Sequence, residues 1–201
     1  MATMAKKLSE MSLEELWHLF PISLVPHNDA WRDWFYEESH ALSQILLGFN
    51  LFHIGSTAIP GIYAKNIVDI MAVAQVAVDG QNSAGTLDLG ALECASDALC
   101  AAGWMCMSRT ANRISLNKGY TESGFAERVF HLHLRFPGDI DELYFRDYLC
   151  GHPNIAKEYE SLKLSLWKKF EFNRDGYTEA KSDFIRNITE IAKNTLKITR
   201  S

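Results

Sequence analysis

The sequence predicts an α+β fold, in which a mixed sheet is covered by helices and followed by a helical C-terminal portion. Over the first two-thirds of the 201 residues, short β-branched runs occur between segments with helical spacing. From Asp139 onward the pattern is helical only. Strands mixed with helices and then helices alone are typical of α+β or α/β domains. We therefore expect a sheet domain with N-terminal helices over residues 1–138 and a helical portion over 139–201, packed on it as one compact unit.

The N-terminal segment predicts two helices before the first strand. Ser12 and Glu15 have the spacing of a capping box, so they should open a short helix that ends before Pro21. Asn28 is placed to cap a second helix, in which apolar residues recur at helical spacing. These residues are Trp31, Trp34, Phe35, Leu42, Ile45 and Leu46. We expect this apolar stripe to cover one face of the sheet.

Five strands should form the sheet. They are predicted at residues 50–54, 67–76, 104–108, 112–117 and 128–136. The polar stretch 79–86 predicts a mobile loop, and a helix is expected at about 88–102, ended by Gly103. A glycine-bearing connection from Gly119 to Gly124 should lead into the last strand.

Composition and charge exclude several functional classes. The formal net charge of −5 argues against general nucleic-acid binding, which usually needs a basic face. No apolar run approaches the roughly 20 residues of a membrane span, and the N-terminus lacks the apolar core of a secretory signal. The four cysteines lack zinc-ligand spacing and are expected to be reduced, packed thiols. The chain is therefore predicted to be soluble and cytoplasmic, with no membrane partner.

The segment His53–Val73 carries the strongest functional signal. An apolar strand ends at Gly55, and the small hydroxyl residues Ser56 and Thr57 follow. A glycine followed by hydroxyl residues lets backbone amides approach an anion closely. The next strand carries one carboxylate, Asp69, whose burial is unfavourable, so it should line a cleft or meet a cation. An anion cradle beside a potential metal ligand is what phosphoryl or nucleotidyl transfer requires.

Four further residues are candidates for the same cleft. Lys65 precedes the second strand and would neutralise phosphate charge, although a lysine in that position is more often simply solvated. His53 ends the first strand, where supporting the loop is favoured over contacting substrate. Lys118 and Arg135 would add positive charge to the cleft.

The last predicted strand carries two histidines. In the run RVFHLHLRF the side chains alternate, so His131 and His133 project from one face and can reach a single ion or phosphate. His-x-His on a strand is a recurrent metal-ligand spacing. The alternative is a solvated polar face.

The C-terminal portion predicts three helices. One ends at Cys150-Gly151, one begins at Pro153 and one spans Tyr177–Leu196. They carry two tyrosine–lysine pairs at a spacing of four residues, which puts each pair on one helix face. The pairs are Tyr159 with Lys163 and Tyr177 with Lys181. Such faces can stack a base and neutralise a phosphate, but packed tyrosines with solvated lysines are the favoured interpretation.

Several strings in the chain resemble the GrpB-like family, an uncharacterised group of the nucleotidyltransferase superfamily. The main one reads HIGSTAIPGIYAKNIVDI at 53–70. The others are VPHNDAW at 25–31, KGYTESGFAERVFHLHLR at 118–135, ELYFRDYLCGHPNIAKEYESLK at 142–163 and NRDGYTEAKSDFI at 173–185. The resemblance covers nearly the whole chain and implies a nucleotidyltransferase-like mixed sheet.

The resemblance also implies roles for particular residues. In nucleotidyltransferases the Gly-Ser pair holds the triphosphate of the nucleotide, which places this role on Gly55 and Ser56. Asp69 would bind Mg²⁺. Polymerase-like members carry a second carboxylate two residues later, where this chain has Met71, so the two-metal arrangement lacks one ligand.

Three functions remain open. The first is metal-dependent transfer of a nucleotidyl group from a nucleoside triphosphate to an unidentified small acceptor, with Asp69 and Ser56 as catalytic residues. The second is a non-catalytic module that binds a nucleotide or phosphometabolite and has lost the second carboxylate. The third and weakest is a histidine-metal hydrolase using Asp69, His131 and His133. The expected ligand in the first two cases is a small nucleotide or other phosphorylated molecule.

Overall fold

The computed structural model describes residues 6–75 and 89–199 and contains a five-stranded mixed sheet with helices on both faces. The strands are β1 Phe49–Ile54, β2 Val68–Ala74, β3 Met105–Arg109, β4 Arg113–Thr121 and β5 Gly124–Arg135. The helices are α1 Leu13–Leu19, α2 Ala30–Ser43, α3 Leu89–Ala101, α4 Asp141–Gly151, α5 Pro153–Trp167 and α6 Arg174–Thr199. The strand order is β1-β2-β5-β4-β3, and only the β2–β5 pair is parallel among these strands. The predicted fold class, a mixed sheet followed by helices alone, is confirmed.

Both N-terminal helices begin close to where the sequence predicts. The Ser12 side chain accepts a hydrogen bond from the Glu15 amide while the Glu15 carboxylate accepts from the Ser12 amide, so the capping box is complete. Helix α1 ends at Leu19, before Pro21. At the start of α2, the Asn28 side chain accepts a hydrogen bond from the amide of Ala30, 3.0 Å away.

The connection predicted from Gly119 to Gly124 is wrong, because both residues lie within strands. β4 continues to Thr121 and β5 already begins at Gly124, so the two strands form a hairpin with a short turn. Gly119 has φ +91° and sits where the strand register shifts, which lets the chain stay in the ladder through an irregularity. The loop predicted at 79–86 lies outside the described residues.

The two faces of the sheet have different partners. On one face, Val68, Ile70 and Ala72 of β2 pack with buried side chains of α2 and α3, among them Trp31 and Leu99. On the other face, Met71 and Val73 pack with Leu143 of α4, and the polar residues of β2 and β5 face the C-terminal helices. Because side chains alternate along a strand, this division follows from the sequence pattern. Asp69, His131 and His133 lie on the second face.

The C-terminal portion packs against the segment that connects β1 to β2. The Glu160 carboxylate of α5 accepts a hydrogen bond from the amide of Tyr63, and Lys163 donates to the carbonyl of the same residue. Helix α6 begins three residues before the predicted Tyr177. The four cysteines are free thiols, but the expectation that they are packed is wrong, because Cys94, Cys100 and Cys150 are exposed and Cys106 is half-buried. Within the described ranges, none of the helices combines the length and apolar character needed to cross a bilayer.

Candidate metal and phosphate site

The Gly-Ser turn lies directly against the carboxylate of Asp69. β1 and β2 pair antiparallel with Ile54 opposite Asp69, so the turn that follows Ile54 folds over the acid. Gly55 has φ +70° and ψ −171°, a conformation that side-chain-bearing residues rarely adopt. A Cβ at this position would collide with the Asp69 carboxylate. Glycine is therefore required for two independent reasons, the backbone conformation and the space.

Asp69 meets both histidines of β5. The parallel register places Asp69 opposite His131, and His133 is two residues further along the same face. The Oδ1 atom of Asp69 is 2.9 Å from His131 Nδ1 and 3.8 Å from His133 Nε2. One possible ligand atom from each residue falls within 4.8 Å of the others, and this is the one such cluster in the described part of the chain. The arrangement can hold a single metal ion.

Electrostatics keep this carboxylate ionised. Burial opposes its charge, but the contacts with His131 and His133 outweigh that effect and hold the pKa of Asp69 well below its usual range. Burial lowers the pKa of His131, and Asp69 only partly offsets that shift. A carboxylate between imidazoles is therefore the negative centre of the site.

A cavity of about 810 Å³ opens above this carboxylate. It is lined from the sheet side by Gly55, Ser56, Thr57, Lys65, Asp69 and His133, and from α5 and α6 by Tyr159, Lys163, Tyr177 and Lys181. The structure thus brings the predicted turn, the predicted acid and both predicted tyrosine–lysine pairs to one cavity. The tyrosines are buried, as the packing interpretation expects, but Lys163 is buried too, so the expectation of a solvated lysine is wrong there. Both tyrosines also line the cavity.

Three lysines give the inner part of the cavity its positive charge. Burial, reinforced by Arg174, lowers the pKa of Lys65 to about 8. Burial also lowers the pKa of Lys163 and of Lys181 to about 7, with Glu160 opposing the shift at Lys163 and the other lysines adding to the shift at Lys181. The charge of Lys65 thus makes Lys163 and Lys181 harder to protonate, and Lys163 has the same effect on Lys181. A multiply charged anion would relieve this mutual repulsion.

Tyrosine hydroxyls complete the polar wall of the cavity. Burial raises the pKa of Tyr159 to about 12, with a hydrogen bond from Ser56 opposing the shift. Burial also raises the pKa of Tyr177. The Tyr177 side chain is 1% exposed, and its hydroxyl has no hydrogen-bond partner among the described residues. A buried hydroxyl without a partner costs stability unless a ligand satisfies it.

His53 lies on the opposite face of the sheet from Asp69. Its ring stacks on Phe35 of α2 with centroids 4.9 Å apart, and its Nε2 is 3.0 Å from the Thr57 hydroxyl. Burial lowers the pKa of His53 to about 4, so the ring is neutral at physiological pH. In this position His53 supports the Gly-Ser turn from behind and does not reach the cavity.

Lys118 and Arg135 do not line the cavity either. The Lys118 ammonium is 2.7 Å from Glu38 of α2, on the face that packs against α2 and α3. Arg135 is on the correct face but is buried, and its guanidinium is 3.2 Å from the Glu142 carboxylate. Lys118 fails as a cleft residue because it pairs with Phe130 across the hairpin, and Phe130 faces the core.

Met71 occupies the position at which polymerase-like nucleotidyltransferases carry a second carboxylate. Its side chain is fully buried in an apolar cluster with Ile54 and Val73. The donor set is therefore one carboxylate with imidazoles. It fits a single divalent cation, with imidazole nitrogen favouring transition metals over Mg²⁺, and it does not fit a two-cation centre.

Two residues of the site were not found from the sequence. The Tyr120 hydroxyl is 2.8 Å from His131 Nε2, and Arg174 Nη1 is 3.1 Å from the same hydroxyl. Both side chains lie behind the histidine, on the side away from the cavity. The KGY string that begins at Lys118 marks an irregular strand, but nothing in it indicates which way Tyr120 points.

A second cavity, of about 1240 Å³, lies between α1 and β3. Its lining is mainly apolar and includes Leu13, Trp17 and Met107. It contains no metal-ligating cluster of described residues. The first cavity is therefore the better candidate for chemistry.

The fold and this site define a mixed-sheet protein with a carboxylate–imidazole centre beside a Gly-Ser turn. The chain belongs to the GrpB family, because the family model for GrpB protein matches residues 21–191. It is 30% identical over 203 residues to the UPF0157 protein YqkA of Bacillus subtilis, covering 95% of this chain and 54% of YqkA. The chain thus spans about half the length of that relative.

Solved structures agree with the family match. The structure of conserved protein GrpB from Enterococcus faecalis aligns with a TM-score of 0.70 and 26% identity, covering 87% of this chain and 99% of that one. A structure of the Cid1 poly(U) polymerase with MgGTP bound aligns with a TM-score of 0.45 and 14% identity over 76% of this chain and 44% of that one. A similarity as low as the second carries no argument about function. The family resemblance seen in the sequence is confirmed.

Proposed function

We propose that this protein binds a nucleoside triphosphate with a divalent cation in the first cavity and transfers the nucleotidyl group to a small acceptor. The observation that carries the proposal is the position of the Gly-Ser turn. It closes on the Asp69 carboxylate in a cavity that Lys65, Lys163 and Lys181 also line. The groups proposed to bind the anion and the carboxylate proposed to bind the cation thus line the same cavity.

The phosphate chain would lie between the turn and the C-terminal helices. Ser56 and the local amides would bind phosphate oxygens from the turn, and Lys163 and Lys181 would bind them from α5 and α6. The free Tyr177 hydroxyl would donate a further hydrogen bond. Because the lysines lie together and repel each other, a triphosphate with several negative charges suits them better than a monoanion.

The cation would be held by Asp69 and imidazole nitrogen, and it would stabilise the charge that develops on the phosphate. In the reaction, an acceptor oxygen attacks the α-phosphorus, a new P–O bond forms, and the bond to the β-phosphate breaks. Pyrophosphate leaves, and the acceptor proton passes to water. The lysines stabilise the charge of the departing pyrophosphate. We include Mg²⁺ as a possible cation because the family resemblance implies it. We include Mn²⁺ and Zn²⁺ because imidazole nitrogen favours transition metals.

Isothermal titration calorimetry with ATP, GTP, CTP and UTP, each with Mg²⁺, Mn²⁺ or Zn²⁺, tests the proposal. At least one pair should bind the wild type, and Asp69→Ala should weaken that binding at least about tenfold. Asp97→Ala is the matched control, because Asp97 is exposed and pairs with Arg109 away from the cavity. If no triphosphate binds above the Asp69→Ala background, the proposal fails.

A second candidate is a binding module without catalysis. It is favoured by Met71, whose burial leaves the site with one carboxylate. In this case triphosphate binding should persist when EDTA removes the cations. Cation-dependent release of pyrophosphate by the natural sequence would exclude this candidate. Metal analysis of the purified protein addresses the hydrolase alternative, which tightly bound Zn²⁺, Fe or Mn²⁺ would favour.

A further inference from the structure

An irregularity in β4 brings Tyr120 to the polar face of the sheet. Ile114 and Leu116 point into the core formed with α2 and α3, and Lys118 lies over Trp104 on the same side. Unbroken alternation would send Tyr120 that way as well. The register shifts after Lys118, and Tyr120 instead reaches His131 on the opposite face.

Gly119 makes this change of direction possible. It has φ +91°, and a Cβ there would collide with the backbone carbonyl of Arg128. A side chain is therefore excluded both by the conformation and by the neighbouring strand. β-Bulges that re-aim a side chain recur beside active sites. The irregularity places one hydroxyl at His131 Nε2.

The chemistry of the neighbours fixes the direction of the hydrogen bonds. Arg174 has only donors, so the Tyr120 oxygen accepts the bond from its guanidinium, 3.1 Å away. The single hydroxyl proton of Tyr120 is then available for His131 Nε2, 2.8 Å away. Nε2 is the acceptor, so the proton of a neutral ring is on Nδ1, where it points at Asp69 Oδ1 over 2.9 Å.

We infer that Asp69, Tyr120 and Arg174 together hold His131 as the Nδ1–H tautomer, and that His131 is a positioning residue for Asp69 and not a metal ligand. Both ring nitrogens of His131 are engaged in hydrogen bonds. Asp69 and His133 line the cavity, whereas His131 is absent from its wall as the described residues define it. His133 Nδ1 contacts the Ser115 hydroxyl at 3.3 Å, which leaves its Nε2 directed toward Asp69.

Asp69 and His133 would then be the two residues that hold a cation, and the cation would supply positive charge to a bound phosphate. An outer histidine that donates to a ligating carboxylate restricts its orientation, as is usual around metal sites. This assignment of the cation rests on the proposed function. The tautomer of His131 does not, because it follows from protein contacts alone.

Nitrogen-15 NMR of histidine-labelled protein without any ligand tests the tautomer. At neutral pH, His131 Nδ1 should resonate as a protonated nitrogen and Nε2 as an unprotonated one, with the signals assigned by their loss in His131→Asn. Tyr120→Phe removes the donor to Nε2 while Asp69 still accepts from Nδ1, so the tautomer should persist and the Nε2 resonance should move toward that of an unprotonated nitrogen without a hydrogen bond. Tyr36→Phe is the control, because Tyr36 is 62% exposed, and it should change nothing. A wild-type ring that is protonated on Nε2, or an Nε2 resonance that Tyr120→Phe leaves unchanged, would overturn the inference.

Mn²⁺ titration followed by electron paramagnetic resonance separates the roles of the two histidines. In His131→Asn the amide can still donate to Asp69, so the Mn²⁺ dissociation constant should stay within about threefold of wild type. His133→Asn should raise it at least about tenfold. Equal losses in the two variants would identify His131 as a ligand and refute its positioning role. A wild type that binds no cation would count against the proposed function, while the NMR result would still decide the tautomer.

Discussion

Replacing Gly55 with alanine is expected to damage both the stability of the protein and the carboxylate at the floor of the cavity. The new Cβ would meet the Asp69 carboxylate, whose other oxygen is held by His131 at 2.9 Å. The carboxylate therefore has little freedom to retreat. The turn itself is fixed from behind by the contact of His53 with Thr57. Either the turn or the acid must move.

The cost has two parts. The φ and ψ of Gly55 fall in a region that is nearly restricted to glycine, and forcing another residue into it costs about 1–3 kcal/mol. Overpacking against the carboxylate adds about 1–3 kcal/mol. The free energy of unfolding should thus fall by about 2–6 kcal/mol. Displacement of Asp69 should also weaken Mn²⁺ binding at least about tenfold.

Gly48→Ala separates the cost of backbone strain from the cost of overpacking against Asp69. Gly48 has φ +78°, close to that of Gly55, but a Cβ there would meet nothing within 4 Å. This control carries backbone strain alone, about 1–2 kcal/mol, and should leave Mn²⁺ binding unchanged. Urea unfolding followed by tryptophan fluorescence gives the two free energies, and electron paramagnetic resonance gives the cation affinities. If Gly55→Ala costs no more than Gly48→Ala and binds Mn²⁺ like wild type, the turn does not constrain Asp69 and the reasoning fails.

Three other predictions follow from the cavity and its floor. Burial lowers the pKa of Lys163 and Lys181 to about 7, so both are largely neutral at pH 8; triphosphate binding should therefore take up protons there and weaken as the pH rises from about 7 to 9. Calorimetry in two buffers of different ionisation enthalpy measures this uptake, and its absence would contradict the role of the two lysines. Tyr177→Phe removes a buried hydroxyl without a described partner, so urea unfolding should show unchanged or slightly higher stability. Triphosphate affinity should fall about three- to tenfold. Unchanged affinity would exclude this hydroxyl as a ligand contact. Met71→Asp should lower the free energy of unfolding, measured in urea, by at least about 3 kcal/mol, because it buries an unpaired charge. Met107→Asp, at a 51% exposed position, should cost under about 1 kcal/mol. Similar losses in the two variants would show that the Met71 site admits an acid.

The strand pattern of the sequence predicts the polar face because alternation is a local property. Asp69, His131 and His133 each stand at a position whose neighbours are apolar core residues, so their common orientation on β2 and β5 can be read from period two alone. Alternation does not predict that these three side chains contact each other. The pairing of Asp69 with His131 joins residues 62 apart in sequence, and a parallel register over that distance depends on the elements between them.

Lys118 and Tyr120 lie on opposite faces of β4 for different reasons. Lys118 lies on the core side because it alternates in step with Ile114 and Leu116, so the strand pattern alone excludes it from the cleft. Tyr120 lies on the polar side because of the irregularity at Gly119, which depends on how β4 meets β5. The tyrosine–lysine pairs illustrate a different limit, since helical spacing predicts a shared face but not whether that face meets the core or a cavity. Here Tyr159 and Tyr177 are buried and also line the cavity.

The acidic net charge and the basic cavity are compatible because charge is distributed unevenly over the molecule. Many acids pair with basic residues outside the first cavity, as Asp97 does with Arg109 and Glu38 with Lys118. In the part of the chain that the structure describes, Lys65, Lys163 and Lys181 form no such ion pair, and burial makes their protonation costly. A lysine that is partly neutral in the free protein avoids that cost until an anion enters, and it then becomes charged at the moment the anion can stabilise it. Selectivity for a multiply charged ligand thus arises from the burial of the lysines as well as from their number.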